Sequence, residues 1–327
     1  MNKPLDFLET TLSTFQARYG EAIPDNDYPT NEFVENILKR KTVRRFTDQK
    51  IDPKLLERLF AAAQSAPTSS MLQTWCAIII DSKERRQEIF FDDPENRIHM
   101  GVNPREILKN GEWIEYGPGD LGNYNAVMEC STFIVWCVDY NVIEEIHTNP
   151  EVNKLNMYPQ DTIEKAREGI GYATNEVRAI CDAMVSAQTF CLAAESLGLG
   201  TMYCGSIKTT DLKDYLELPN HVMPIVGICV GYAQPNLNPM GQLPQYDKPD
   251  YVKPRLPQSV VVHQHKFQPR DIQKLKRYNS IMTRFYIFYQ IGKITSDWFW
   301  KTMVRNQIHR RNAAYKSLMQ KYGFWFK

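Results

Sequence analysis

The run from Asn175 to Leu197 constrains this chain more than any other segment. Val177, Ile180, Cys181, Met184, Val185, Cys191 and Leu192 recur at spacings of three and four, with small apolar residues between them. That periodicity predicts a long helix, and its many small apolar side chains predict burial on all sides. Gly198 and Gly200 stop it, and a short strand follows at Met202–Cys204. Two further apolar runs, Phe133–Val138 and Val222–Val230, read as buried strands, the first of them central. Asp52-Pro53 opens a helix with Leu55, Leu56, Leu59, Phe60 and Ala63 on one face. Another begins at Asn31 or Thr30, and a strand is expected at Trp75–Ile80. A helix at Thr210–Leu216 and a last strand at Val260–Val262 complete the set. Helices and strands alternate irregularly, which predicts an α+β fold rather than a doubly wound one.

Charge divides the chain unevenly. The formal net charge is +1, from 39 Lys and Arg against 38 Asp and Glu. Yet from Lys253 onward there are 16 basic side chains against only Asp271 and Asp297, a balance of +14. Residues 1–252 carry −13. Such a split suits an anionic ligand or a self-complementary interface. With 43% hydrophobic residues the chain can bury a core, which excludes general disorder. The start has acidic residues where a signal peptide would be apolar, and Ile281–Trp300 is broken by Arg284, Lys293 and Asp297, so neither a leader nor a membrane span is expected. Seven cysteines without a CxxC pair predict a reduced, cytoplasmic protein lacking a disulfide framework or zinc site.

Four constellations carry possible chemistry. Arg40-Lys41-Thr42-Val43-Arg44-Arg45 places four cations and a hydroxyl where a helix runs into an extended segment. Alternation puts Arg40, Thr42 and Arg44 on one face, suited to a phosphate; a solvated basic patch at a helix end is the bland reading. The Thr68-Ser69-Ser70 turn and Gln73 can approach a planar polar ligand. Gly198-Leu-Gly200-Thr-Met-Tyr-Cys204-Gly205-Ser206 is no dinucleotide fingerprint, because its glycines follow a helix and precede a strand. Lys253-Pro254-Arg255 is stiffened by proline, so both cations can meet one phosphate. His263 and His265 would share a strand face, but no third metal ligand is evident.

Together these segments resemble the FMN-dependent nitroreductase family, closest to its larger NADPH nitroreductase and flavin reductase branch. The resemblance runs over residues 36–268 and rests on KTVRRFTDQKID, APTSSMLQ, AAESLGLGTMYCGSI, LPNHVMPIVGICVGYAQP and KPRLPQSVVVH in the family's order. It implies a mainly antiparallel sheet flanked by helices, an interlocked homodimer, and FMN at the dimer interface. Arg40, Lys41 and Thr42, with Lys253 and Arg255, would hold the FMN phosphate. Arg44 would face the N1–C2=O edge, Thr68, Ser69 and Ser70 the ring and ribityl chain, and Gln73 the pyrimidine. Tyr124 would border the flavin, and the backbone of Cys204, Gly205 and Ser206 its N5 edge. NADPH or NADH would donate two electrons, then a nitroaromatic, quinone or flavin would accept them in a ping-pong cycle. The chain itself would supply no acid or base.

The expected organisation is an N-terminal extension (1–30), an FMN-binding domain (31–268) with an insertion at about 86–120, and a helical basic extension (269–327). Residues 253–327 hold 14 of the 38 aromatic residues. Aromatics this dense suit helices wrapping a partner subunit. The alternative is a tail that binds nucleic acid or an anionic surface. A further alternative keeps FMN in an enzyme that does not use NAD(P)H.

Overall fold

A computed structural model describes residues 31–92, 123–140, 171–205, 207, 209–237 and 255–276. The chain divides into two compact units, residues 30–250 and residues 1–29 with 251–327. The division falls at residue 250, in the proline-rich connection.

Among the described residues, the larger unit is built on a four-stranded sheet. Its strands are β1 (Trp75–Ile80), β2 (Thr132–Asp139), β3 (Gly200–Cys204) and β4 (Val222–Gly231), in the order β1-β2-β4-β3. All three pairings are antiparallel, and Thr42 adds a parallel bridge to Thr201 outside β3. The two longest apolar runs therefore occupy the centre, where both faces of a strand need cover. Alternate residues of β2 then serve two cores. Ile134, Trp136 and Val138 pack with Leu59, Ala63, Ala183, Ala187 and Phe190 on one side. Phe133, Val135 and Cys137 pack with Ile89, Phe90, Phe91, Ala126, Val127 and Leu212 on the other. The sheet thus lies between two helical layers.

Local chemistry sets the helix starts. Helix α1 (Glu32–Lys39) is capped by Asn31, whose Oδ1 accepts from the Val34 N–H at 2.9 Å. Helix α2 (Pro53–Gln64) has Asp52 accepting from the Lys54 N–H at 2.8 Å and Pro53 in its first turn. After α3 (Lys83–Gln87) and α4 (Tyr124–Glu129), the long helix α5 covers Gly171–Ser196. It ends at Gly198, whose φ of +80° a side chain would disfavour. Ala179, Ala183, Ala187 and Ala194 are buried and let α5 lie close to the sheet. By length and composition α5 could cross a membrane, but this apolar face packs in the core. Contrary to the expected all-round burial, Val177, Cys181 and Val185 are exposed on its other side. Helix α6 follows at Thr209–Tyr215.

Two expectations need correction. Residues 86–92, expected to begin an insertion, instead form the end of α3 and a π-helical turn at Glu88–Asp92. Ile89, Phe90 and Phe91 are core residues, and Arg86 is fully buried. Its guanidinium donates to the carbonyls of Ile80, Asp81, Met128 and Cys130 at 2.9, 3.0, 3.5 and 3.1 Å. Among the described residues this buried cation meets carbonyl dipoles, which leave no apolar periodicity to read. The rest of that expected insertion lies outside the described residues. In the smaller unit, Gln258–Val261 is a helical turn, α7, and not a strand. The Val260 N–H bonds to the Pro257 carbonyl at 2.9 Å and Val262 to Gln258 at 2.7 Å, which closes the turn despite three β-branched residues. Residues 272–276 are helical, and the remainder of the basic tail lies outside the described residues.

Candidate functional site

The cationic segment is held in place from three directions. The Val43 N–H donates to the Thr201 carbonyl at 2.9 Å, and Val43 is buried. Gly200 makes this approach possible, because a Cβ there would meet Val43 side-chain atoms at 2.6 to 3.0 Å. Burial of Val43 leaves half-buried Thr42 and Arg44 on the opposite face, as alternation predicts. Farther along, Phe46 bridges Ala233, and Thr47 N–H bonds to the Tyr232 carbonyl at 2.8 Å. The segment therefore borders β3 and then the chain leaving β4.

Acidic residues that sequence reasoning missed fix its side chains. Arg40 lies 3.6 Å from Glu195 on α5, and that carboxylate also accepts from the Thr201 hydroxyl at 2.7 Å. Arg45 meets both oxygens of Glu129 on α4, through Nε at 2.9 Å to each, and Oε2 also accepts from the Phe46 N–H at 3.1 Å. Bidentate pairing of this kind fixes geometry as well as charge. Lys41 is committed to the Leu237 carbonyl at 2.9 Å. Beside Arg40, burial pushes the Cys191 thiol up to about 12, partly offset by hydrogen bonds with Tyr203 and Thr201. Burial also raises Tyr203 above its ordinary value, with the nearby Cys191 adding to it.

The hydroxyl turn is anchored near the middle of α5. Asp182, 7% exposed, accepts from the Ser69 N–H at 2.8 Å and its hydroxyl at 3.1 Å. Ser69–Met71 form a 3-10 turn, Thr68 Oγ1 accepts from the Gln73 N–H at 3.3 Å, and Gln73 itself is exposed. Met71 and Gln73 have φ of +60° and +49°, a region costly for residues with side chains. Met71 is also 81% exposed, so this strain is not offset by burying its side chain. Backbone strain of this kind concentrates where a ligand is gripped. Asp182 and Glu195 are thirteen residues apart on one helix, so the two anchors are separated by roughly 20 Å along its axis. One legible signal for Asp182 was a carboxylate among Ala179, Ala183 and Ser186 on an apolar helix face.

The remaining expected positions are scattered. Cys204 ends β3 with its side chain buried, whereas Gly205 is exposed with open space beyond its Cα. Tyr124 is half-buried at the start of α4, its ring edge-on to Phe91 at 4.7 Å. Arg255, in the smaller unit, is half-buried just before buried Pro257. Ser206 and Lys253 lie outside the described residues. His263 and His265 are not on a strand; His263 Nδ1 accepts from the Gln268 N–H at 3.3 Å, and its ring lies 4.7 Å from Phe267. Among the described residues, no three His, Cys, Asp or Glu side chains gather as a metal site.

Known proteins resemble this arrangement along most of the chain. An oxygen-insensitive NADPH nitroreductase of Salmonella typhimurium is 27% identical over 284 residues, covering 86% of this chain and 93% of its own length. An NADPH-flavin oxidoreductase of Vibrio harveyi is 26% identical over 270 residues, covering 82% and 88%. Among solved structures, NfrA1 of B. megaterium aligns over 90% of this chain and 99% of its own, with a TM-score of 0.59 and 24% identity, which speaks to fold alone. Residues 253–327 match the C-terminal domain of the nitroreductase family, so the resemblance extends past 268 to include the basic tail. Residues 37–232, more than half of the sequence, match the Nitroreductase family, and the chain belongs to it.

Proposed function

We propose that this protein is an FMN-dependent oxidoreductase that carries two electrons from NADPH or NADH to a small acceptor such as a nitroaromatic, quinone or flavin. The single observation that carries it is the family match over residues 37–232, within which the cationic segment is pinned to β3. The names of the curated relatives, NADPH nitroreductase and NADPH-flavin oxidoreductase, agree in donor and reaction type. When bound, FMN supplies the two-electron chemistry, accepting from the nicotinamide donor and delivering to the acceptor.

The donor set fits that group. Arg40, Lys41 and Thr42 offer cations and a hydroxyl for a phosphate dianion. Arg44, half-buried beside them, would stabilise negative charge at the N1–C2=O edge. Open space at Gly205 leaves room for a planar ring beside the backbone of Cys204 and Gly205. Thr68, Ser69, Ser70 and Gln73 would line the ring and ribityl chain from the turn held by Asp182, and Tyr124 would border it.

We further propose that each site forms between two protomers. The phosphate segment and the hydroxyl turn are anchored roughly 20 Å apart on α5, so one FMN touching both is best served by one cluster from each subunit. Exposed Val177, Cys181 and Val185 on α5 supply an apolar stripe for that contact. The basic aromatic tail then belongs to the dimer, and nucleic-acid binding is not favoured, because the tail matches the family's own C-terminal domain. A reduced, cytoplasmic setting suits seven free cysteines.

The purified protein is expected to be yellow, with a flavin band near ~450 nm that NADPH or NADH bleaches anaerobically. A colourless protein that takes up no FMN would overturn the proposal. A yellow protein bleached by neither nucleotide would leave the cofactor standing and remove the donor.

A further inference from the structure

Two cysteines lie face to face in the sheet. Cys76 of β1 and Cys137 of β2 are directly opposed in the antiparallel ladder. Opposed residues in such a ladder have Cα atoms about 4.5–5.5 Å apart, inside the roughly 4.4–6.8 Å that a disulfide spans. Cys137 is fully buried in the core, and half-buried Cys76 packs against the same core.

Their environments differ. The neighbouring Cys137 thiol, whose Sγ donates to the Val135 carbonyl at 3.8 Å, draws Cys76 below its ordinary value, against burial and the charge of Asp139. The neighbouring Cys76, together with burial and the charge of Asp139, raises Cys137. Cys76 is therefore the more accessible and more easily ionised partner, and Cys137 holds its proton beside it. That division suits attack by one thiol and resolution by the other.

We propose that Cys76 and Cys137 form a redox-active dithiol, a modification site that closes to a cross-strand disulfide on meeting a small oxidised disulfide RS–SR. The Cys76 thiolate attacks one sulfur of RS–SR, the S–S bond breaks, and RS⁻ leaves to take up a proton. Cys137 then loses its proton to solvent and attacks the Cys76 sulfur, expelling the second RS⁻, which is protonated in turn. Two electrons pass from the protein to the reagent, giving one protein disulfide and two RSH.

A second pair sharpens the assignment. Cys130 and Cys229 also influence each other, but both are buried, and the Cys130 thiol donates to the Val127 carbonyl at 3.3 Å. No reagent reaches them in the folded protein. The new bond would fasten β1 where the chain arrives from the hydroxyl turn, next to the Thr74 carbonyl that accepts from the Asp139 N–H at 3.3 Å. Formation of the bond is independent of the FMN proposal; only an effect on flavin binding rests on it.

The test uses the full-length protein carrying Cys181→Ser, so that Cys181, exposed in a single protomer, adds nothing to the count. The reduced protein is incubated with oxidised glutathione, denatured, and its thiols are titrated. The count should fall from six to four, with the peptides containing Cys76 and Cys137 linked in a non-reduced digest and released by dithiothreitol. Adding Cys137→Ala should convert the product to a lasting glutathione adduct on Cys76. Adding Cys76→Ala should leave every remaining thiol free. Retention of six thiols, a linkage through Cys130 or Cys229, or a lasting adduct on Cys76 with Cys137 intact would each overturn the proposal. Should Cys137→Ala fail to fold, the digest and the Cys76→Ala variant still decide it.

Discussion

Replacing Asp182 with alanine releases the hydroxyl turn from α5. The carboxylate is nearly buried and accepts two hydrogen bonds from Ser69, at 2.8 and 3.1 Å. Hydrogen bonds to a charged group are each worth about 1.5–3 kcal/mol. Burying the carboxylate opposes part of that gain, and Ser69 is only half-buried, so water recovers part of the loss. We expect the unliganded protein to lose roughly 2–4 kcal/mol against urea. Asp182→Asn keeps an oxygen for the Ser69 N–H, and the hydroxyl can rotate to accept from the amide, so its loss should be about 1 kcal/mol. Flavin binding should report the same anchor. Fixing a backbone residue costs about 1–2 kcal/mol. Reordering Ser69–Met71 on binding would therefore cost about 3 kcal/mol or more, weakening FMN roughly hundredfold in the alanine variant. Urea unfolding and quenching of FMN fluorescence measure the two quantities. An alanine variant with an unchanged midpoint and FMN affinity within about twofold would refute this account of the turn.

Gly200→Ala should cost about 1–3 kcal/mol and weaken FMN binding, since the new methyl meets buried Val43 and pushes the cationic segment from β3; thermal unfolding and flavin titration read both effects. Arg86→Leu removes the donors of four carbonyls and should cost roughly 3–5 kcal/mol in urea unfolding, with Arg86→Lys recovering part of it. Burial raises Cys191 from 9.0 to about 12, so the folded state holds a proton that the unfolded state releases first. The resulting stability is complete below pH 9.0 and is lost as pH climbs toward about 12. Cys191→Ala should flatten the fall of unfolding free energy in that window by about 1.4 kcal/mol per pH unit, measurable by urea titration at several pH values.

The elements that the sequence revealed are those whose causes lie within a few residues. Asn31, Asp52 and Pro53 cap helices by local bonds, and β2 and β4 announce themselves by unbroken apolar runs. The cationic segment and hydroxyl turn were legible as charge and small polar groups. What holds them was not: Glu195, Glu129 and Asp182 meet partners far away in sequence. Residues 86–92 escaped for the same reason, because the Arg86 guanidinium donates to carbonyls up to 44 residues away. At Val260–Val262 a β-branched run pointed to a strand, and the turn closed by the Pro257 and Gln258 carbonyls prevailed.

The strand order β1-β2-β4-β3 bears on how the protein emerges from the ribosome. No two neighbouring strands are joined by a tight hairpin; even β3 and β4 are separated by α6. β4 is the last of the four to be synthesised, yet it sits between β2 and β3 and pairs with both. Until residue 231 has left the exit tunnel, one edge of β2 has no strand to meet and β3 has none from the sheet. Pairing across such long loops is slow and leaves apolar edges open to other chains. Late delivery of β4 therefore makes the partly synthesised chain the form in which these strand edges are open to aggregation.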